Sequence, residues 1–404
     1  MNILFLTLVR ITDIEERGIY TDLMRTFRDN GHEVFIVCPM ERRYKEKTTY
    51  TTHQGNVHIL NVKTLNVQKT NLLEKGLATL SIEQQYYRAI KRHIKHVTFD
   101  LVLYSTPPIT FTKIVKKIKQ RDGATSYLLL KDIFPQNAVD IGLMKKDGPI
   151  YRFFRKKEQR LYAISDYIGC MSPANVEFLL KHNPLLPPNK VEVNPNSIQP
   201  VKLEFSEDEK QRTRNKYGIP LDKNTFIYGG NLGKPQGLAF LLSVMASNSN
   251  KEDRFFVVVG TGTEYPMIEA WFKRYAPKNA MLLPGLPKKE YDQLVQSCDV
   301  GLIFLDPRFT IPNYPSRLLS YLEYKMPVLM ATDKNTDIGR IAEENGYGLW
   351  SLNGDLPGFN ATLDKLCQDT HLVQEMGERG YRFLWNNYTV DASYNMVMKY
   401  LKRN

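Results

Sequence analysis

Residues 226–238 read FIYGGNLGKPQGL. An apolar, strand-like run breaks into glycines around one lysine, Lys234, and an apolar helical pattern follows. Glycines placed there let backbone N–H groups approach a phosphate, and the next helix's N-terminus adds positive potential. The same residues also suit a plain glycine turn with a solvated lysine.

Working outward, the pattern repeats on both sides. TFIYGG (225–230), RFFVVVG (254–260), AMLLPG (280–285), VGLIFLD (300–306), MPVLMA (326–331) and YGLWSL (347–352) alternate with helical stretches. The first half does the same with NILFLTLV (2–9), EVFIVC (33–38), VHILNV (57–62), FDLVLYS (99–105), TSYLLLK (125–131) and DYIGCMS (166–172). Near-continuous apolar runs fit parallel strands covered on both faces, and their alternation with helices predicts doubly wound sheets.

At 404 residues the chain exceeds one ordinary core. The proline-rich stretch 181–200 and the charged stretch 202–216 read as a crossover between two domains. The expected division is 1–200, then 201–380, with 381–404 as a C-terminal helix packing back on the first domain. The fold class is therefore α/β: two Rossmann-like domains facing an interdomain cleft. In such sheets ligands sit beyond the carboxyl ends of the strands.

Hydrophobic residues make up 42% and charged residues 24%, the balance of a globular protein. No apolar run approaches the roughly 20 residues of a membrane-spanning helix. The N-terminus reads as a buried strand, not a signal peptide. Cys38, Cys170, Cys298 and Cys367 lack metal or redox spacing, and the seven histidines form no zinc motif. No metal and no cofactor is expected. The net charge of +12 points to phosphorylated ligands or an anionic membrane; nucleic acid is not expected, because no recognition motif accompanies the charge.

Further residues sit where strands should end. IPNYPSRLLSYLEYKMPVL (311–329) starts a helix with Ser316 as the expected N-cap. Arg317, Ser320 and Tyr321 fall on one face, opposite Leu318, Leu319 and Leu322. Arg317 is placed to reach a diphosphate, Ser320 and Tyr321 a sugar or ribose, although a solvated basic helix face explains the pattern too. Gly260 and Gly262 form a second glycine turn, an incomplete dinucleotide fingerprint. In the first half, Gly18 precedes a helix, Thr106, Pro107 and Pro108 follow a strand, and Lys131 and Asp132 end another. Asp132 is either a site residue or a helix cap.

Taken together, GNLGKPQG, PGLPKKEYDQLVQSCDVGLIFL, PSRLLSYLEYKMPV and KDIFPQNAVDIGLM closely resemble bacterial surface-polysaccharide glycosyltransferases of family 4, which have the GT-B fold. The nearest subgroup builds O-antigens and capsules and often transfers N-acetylated amino sugars such as N-acetylfucosamine. The resemblance implies retaining transfer from a UDP-sugar to a polyprenyl-diphosphate-linked acceptor, in the cytoplasm, peripheral on the inner face of the plasma membrane. It implies donor contacts at Gly18, Gly230, Asn231, Gly233, Lys234, Gly260, Gly262, Pro284, Leu286, Ser316, Arg317, Ser320 and Tyr321. Acceptor contacts fall at Thr106, Pro107, Pro108, Lys131, Asp132, Gln136 and Asn137. Lys234 and Arg317 would stabilise the leaving diphosphate, and Asp132 would orient the acceptor. The family's two glutamates, eight positions apart, align with Pro312 and Ser320, its glycine before the proline turn with Lys325, and a common histidine with Lys131. A UDP-sugar epimerase of the same fold, or a nucleotide-sugar-binding protein without activity, is the competing expectation. Basic clusters at Arg88, Lys91, Arg92 and Lys95, at Lys113, Lys116, Lys117 and Lys119, and at Arg152, Arg155, Lys156, Lys157 and Arg160 predict docking on an anionic membrane surface.

Overall fold

The computed structural model describes residues 1–53, 55–66, 72–202 and 205–401. Two compact units emerge: Met1–Gln199 with Thr389–Asn404, and Pro200–Tyr388. Each is a doubly wound sheet.

Unit 1 carries β1 (Asn2–Leu6), β2 (Glu33–Glu41), β3 (Thr49–His53), β4 (Val57–Thr64), β5 (Leu101–Ser105), β6 (Thr125–Leu130), β7 (Tyr167–Cys170) and β8 (Val191–Val193). Their order is β3-β4-β2-β1-β5-β6-β7-β8. All pairs are parallel except β3 with β4. β3 and β8 extend the expected set of strands. Both are short edge strands; β3, TYTTH, is mostly polar and exposed, so no apolar run announces it. β8 lies inside the stretch expected to be crossover, held between prolines.

Unit 2 carries β9 (Asn224–Asn231), β10 (Arg254–Thr261), β11 (Ala280–Pro284), β12 (Val300–Phe304), β13 (Val328–Thr332) and β14 (Gly348–Leu352), in the order β11-β10-β9-β12-β13-β14, all parallel. This is the 3-2-1-4-5-6 order of a dinucleotide-binding sheet. The central six strands of unit 1, β4-β2-β1-β5-β6-β7, repeat it. The strand order therefore reverses between β1 and β5 and between β9 and β12, which marks the carboxyl ends there as ligand positions.

The unit 1 core packs Ile3, Phe5, Ile36 and Leu103 with Met24 and Phe27 of the helix Ile19–Asp29. Val390, Tyr394 and Val397 of the last helix, Val390–Met398, belong to the same cluster. Tyr394 meets Phe27 edge-on at 5.0 Å, and the Val390 N–H donates to the Ile198 carbonyl at 3.0 Å. The returning segment starts at Thr389, not 381, because the helix Thr370–Asn387 runs unbroken through that position within unit 2. Phe226, Tyr228, Val258, Leu302 and Phe304 centre the unit 2 core, covered by Leu241 and Val244 on one helix and by Phe359 and Leu363 on another.

The charged stretch expected to be linker instead forms a helix, Glu207–Tyr217. Ser206 and Glu209 cap it reciprocally, and its Arg214 is buried against the Ser297 carbonyl (2.7 Å) and Asp299 (2.8 Å).

Candidate functional site

At the carboxyl end of unit 2's sheet, β9 and β10 each carry glycine one residue before the last. Gly230 pairs with Gly260, and Gly260 with Pro284. Gly230 has φ +110° and Gly260 φ +153°, backbone that side chains rarely adopt. A Cβ on Gly260 would collide with the Gly230 carbonyl, and one on Gly262 with the Leu232 backbone. These glycines are thus required for two strand ends to touch. They open onto a depression of about 550 Å³ lined by Gly230, Asn231, Gly260, Thr261, Gly285, Leu286, Lys288 and Tyr291. Four expected donor residues meet there, namely Gly230, Asn231, Gly260 and Leu286. Tyr291 escaped sequence reasoning. Its hydroxyl lies over Gly229, and burial pushes the phenol up to about 12, so it stays neutral.

Arg317 opens the helix Arg317–Glu323 beside this floor. A Cβ on Gly230 would stand 4.0 Å from its Nη2. The guanidinium lies over the Tyr228 ring at 4.4 Å, and Nη2 donates to Gln236 Oε1 at 3.0 Å. Its Nη1 is buried and has no hydrogen-bond partner. A buried, unpaired charged donor is costly and rare, and a ligand anion is its natural partner. Gln236 also accepts from the Tyr228 hydroxyl at 3.2 Å, which fixes the amide. Lys234, two residues earlier, starts a short 3-10 turn after Gly233 and is exposed.

Two expectations for this helix change. Ser316 occupies the N-cap position, but its side chain makes no capping bond; it is exposed. Tyr321 does not reach the site. It is 0% exposed, lies against Gly301, and donates to the Ile227 carbonyl at 3.2 Å. The gap left by glycine on β12 draws the ring into the core. Ser320 stays partly exposed, and the buried Glu323 turns away to accept the Val201 N–H at 3.0 Å. Lys325 holds φ +54°, left-handed backbone that favours glycine.

Unit 1 builds a different kind of strand end. Thr106 Oγ1 accepts the N–H groups of Lys131 (3.0 Å) and Asp132 (3.2 Å) and donates to the Asp132 carbonyl at 3.1 Å. Both Asp132 oxygens accept from Asn137 Nδ2, at 2.8 and 2.9 Å. Asp132 is not the helix cap, since Pro135 holds that place before Gln136–Asp140. Lys131 Nζ donates to the Asn194 carbonyl at 3.0 Å, and burial pushes its pKa down to about 7. Gln136 bonds Asp140 at 2.7 Å, and Asn137 Oδ1 is buried without a partner. Pro107 is exposed and Pro108 is buried. The Gly18 N–H is already held by Asp22 Oδ1 at 2.9 Å, and its φ of 176° is ordinary extended backbone.

Four of the basic residues have structural partners, Lys117 over the Tyr87 ring at 4.1 Å and Lys157 over the Phe153 ring at 5.5 Å among them. Arg155 binds Glu158 at 2.5 Å and the His182 carbonyl at 2.7 Å, and Lys119 binds Asp166 at 2.7 Å. Arg88, Lys91, Arg92, Lys95, Arg152, Lys156 and Arg160 are exposed, as are Ile150 and Phe153. Phe154 instead packs edge-on to Phe134 at 5.1 Å. Among the described residues, no helix is long and apolar enough to cross a membrane, and no three His, Cys, Asp or Glu side chains are placed to hold a metal ion. All four cysteines are free thiols.

Residues 209–383 match the family described as Glycosyl transferases group 1. A probable glycosyltransferase, WbjE of Pseudomonas aeruginosa, is 25% identical over 306 residues, 74% of each chain. Sucrose-phosphate synthase from Thermosynechococcus elongatus superposes with a TM-score of 0.76 at 12% identity, over 100% of this chain and 99% of that one. HepE from Anabaena, solved in complex with UDP, gives 0.70 at 13% identity over 100% of both chains. The glycine strand ends and Arg317 fall inside the stretch 209–383 that is similar to the group 1 glycosyl transferases, and the two Rossmann-like halves of the chain carry the fold of GT-B glycosyltransferases.

Proposed function

We propose that the chain is a retaining glycosyltransferase. It moves a sugar, of the N-acetylated amino class, from a UDP-sugar to a lipid-linked glycan in capsule or O-antigen biosynthesis. The observation that carries this reading is the buried, unpartnered Nη1 of Arg317 beside the glycine ends of β9 and β10. HepE, which shares the fold, was solved with UDP.

The chemistry follows from charge. Cleaving the bond between C1 and the diphosphate oxygen leaves negative charge on the nucleotide and positive charge on the sugar. Arg317 meets the first with a preorganised cation and the exposed Lys234 adds a second, so binding of UDP does not depend on a divalent metal. The acceptor hydroxyl attacks C1 from the face the diphosphate leaves. A C1–O bond forms as the other breaks, and the hydroxyl proton passes to a phosphate oxygen. Asp132 orients that hydroxyl. Unit 1 docks on the anionic inner face of the plasma membrane through its exposed cations, which keeps the enzyme near a polyprenyl-diphosphate acceptor.

The deciding experiment incubates the protein with a panel of UDP-sugars and a membrane lipid fraction, read by mass spectrometry. The expected product is a lipid-linked glycan one sugar heavier, with EDTA causing no loss of UDP affinity by calorimetry. An epimerised UDP-sugar without a lipid product assigns an epimerase instead. UDP binding without either product leaves a non-catalytic binder.

A further inference from the structure

The basic face of unit 1 borders a groove that surface docking alone does not use. The helix Pro149–Ile164 exposes Arg152, Lys156, Arg160 and Ala163, which lie along one side at helical spacing. The carboxyl half of this stripe forms one wall of a groove of about 700 Å³, within the range of sites that bury a small ligand. The opposite wall is the loop Asn183-Pro184-Leu185-Leu186-Pro187, leading to Lys190.

Two features of the groove point to the same ligand. Its wall is apolar: the loop offers two leucines and two prolines, and Leu185 is 97% exposed while Leu186 is buried. The prolines fix the backbone on both sides of the leucine pair, so Leu185 cannot easily turn inward. A leucine held out in water by a stiff loop lacks an apolar partner. The second feature is charge. Lys156, Arg160 and Lys190 line the groove, and no carboxylate does. Three cations around an apolar trough complement an amphiphile with a hydrocarbon chain and an anionic head.

The geometry points to a binding site for a single anionic lipid, its chain lying along Leu185 and Ala163 and its phosphate held by Lys156, Arg160 and Lys190. The site rests on the proposed membrane role of unit 1 but deepens it, from attraction by a charged surface to capture of one lipid molecule. It is separate from the strand ends that carry Thr106, Lys131 and Asp132.

The test uses the full-length chain and a soluble amphiphile, so that capture is measured without a bilayer. Leu185→Trp places a fluorophore on the loop; the native tryptophans, Trp271, Trp350 and Trp385, all lie in unit 2. Titration with dodecyl phosphate below its micelle concentration should give a saturable blue shift. Binding should be about tenfold tighter than for dodecyl maltoside, and inorganic phosphate should give no shift. In the same background, Ala163→Phe, which fills the trough, should weaken dodecyl phosphate about tenfold. Lys156→Gln, Arg160→Gln and Lys190→Gln together should erase the preference for the phosphate head. No saturable shift, an equal response to inorganic phosphate, or unchanged affinity in Ala163→Phe each overturns the site. Flotation with anionic vesicles reads the membrane proposal separately. Flotation without monomer binding removes the groove alone, and monomer binding without flotation removes surface docking alone.

Discussion

The carboxyl ends of the two sheets solve opposite problems. In unit 1, Thr106, Lys131 and Asp132 hold one another and Asn137 and Asn194 in hydrogen bonds that leave Asn137 Oδ1 buried and unpartnered. In unit 2, glycines strip the floor bare and Arg317 keeps one buried nitrogen without a partner. The first is a shaped wall whose polar groups mainly serve each other. The second is an unsatisfied electrostatic site that awaits an anion. Equal topology therefore does not mean equal chemistry. Charge stabilisation should reside in unit 2, and orientation in unit 1.

The largest effect should come from Arg317→Ala. Removing a preorganised cation at a leaving group costs roughly 10²–10³ in rate, and the melting temperature should barely move. Lys234→Ala should act in the same direction. Turnover within about threefold of wild type in both variants would end the anion-site assignment.

Next comes a contrast between glycines. Gly260→Ala forces a Cβ into the Gly230 carbonyl, so the strand ends must part. Overpacking of this kind costs about 1–3 kcal/mol, read from urea unfolding, and UDP affinity should fall with it. Gly18→Ala in unit 1 should stay within about 0.5 kcal/mol, since the backbone there is extended and the nearest side-chain atom is Thr21 Oγ1 at 3.2 Å. Equal effects at the two sites would erase the distinction between a bare floor and a shaped wall.

A smaller loss is expected for Gln236→Leu. It frees Arg317 Nη2, while the Tyr228 hydroxyl keeps its bond to the Asn231 carbonyl at 2.9 Å. A hydrogen bond to a charged group contributes about 1.5–3 kcal/mol, so kcat should fall on the order of tenfold or more. Gln236 acts through Arg317, so Gln236→Glu, which keeps the acceptor, should recover part of the rate. If Gln236→Leu raises KM and leaves kcat alone, the amide touches substrate directly.

The smallest effect is a slope. Burial lowers the Lys131 pKa from its usual value near 10.5 to about 7. Between those values the unfolded chain holds the proton and the folded chain does not, so stability rises with pH across that window. Lys131→Met should flatten the rise in urea midpoint between pH 7.5 and 9.5. An unchanged slope would mean that Lys131 stays charged in the folded chain.

Much of the architecture was legible because parallel strands covered on both faces must be apolar throughout. The twelve runs that showed it became twelve strands. β3 and β8 escaped since an edge strand needs no such run. The helix from Glu207 was hidden by its own polarity, although Ser206 and Glu209 stand at capping-box spacing. Within the candidate site, the glycines and Arg317 were visible as types at strand ends. Tyr321 misled because helical spacing gives a face but not what packs on it: Gly301 on β12, directly under the helix, makes room for the ring, and nothing in the helix itself announces that neighbour. Tyr291 and Gln236 lie within the resembling segments, but no role attached to either; only the fold brings them beside Gly229 and Arg317.

The return of the last helix to unit 1 has a consequence for biosynthesis. Val390, Tyr394 and Val397 complete a core whose first strand is Asn2–Leu6. The ribosome releases the N-terminal strands first, yet their cover arrives last, after all of Pro200–Tyr388. The usual order, in which the N-terminal domain is finished first during synthesis, is reversed here. Unit 2 can close on the nascent chain as soon as it emerges, while unit 1 keeps an apolar surface open until Val390–Met398 has followed. A stop codon just before Thr389 would therefore spare the later half of the sequence and damage the earlier one.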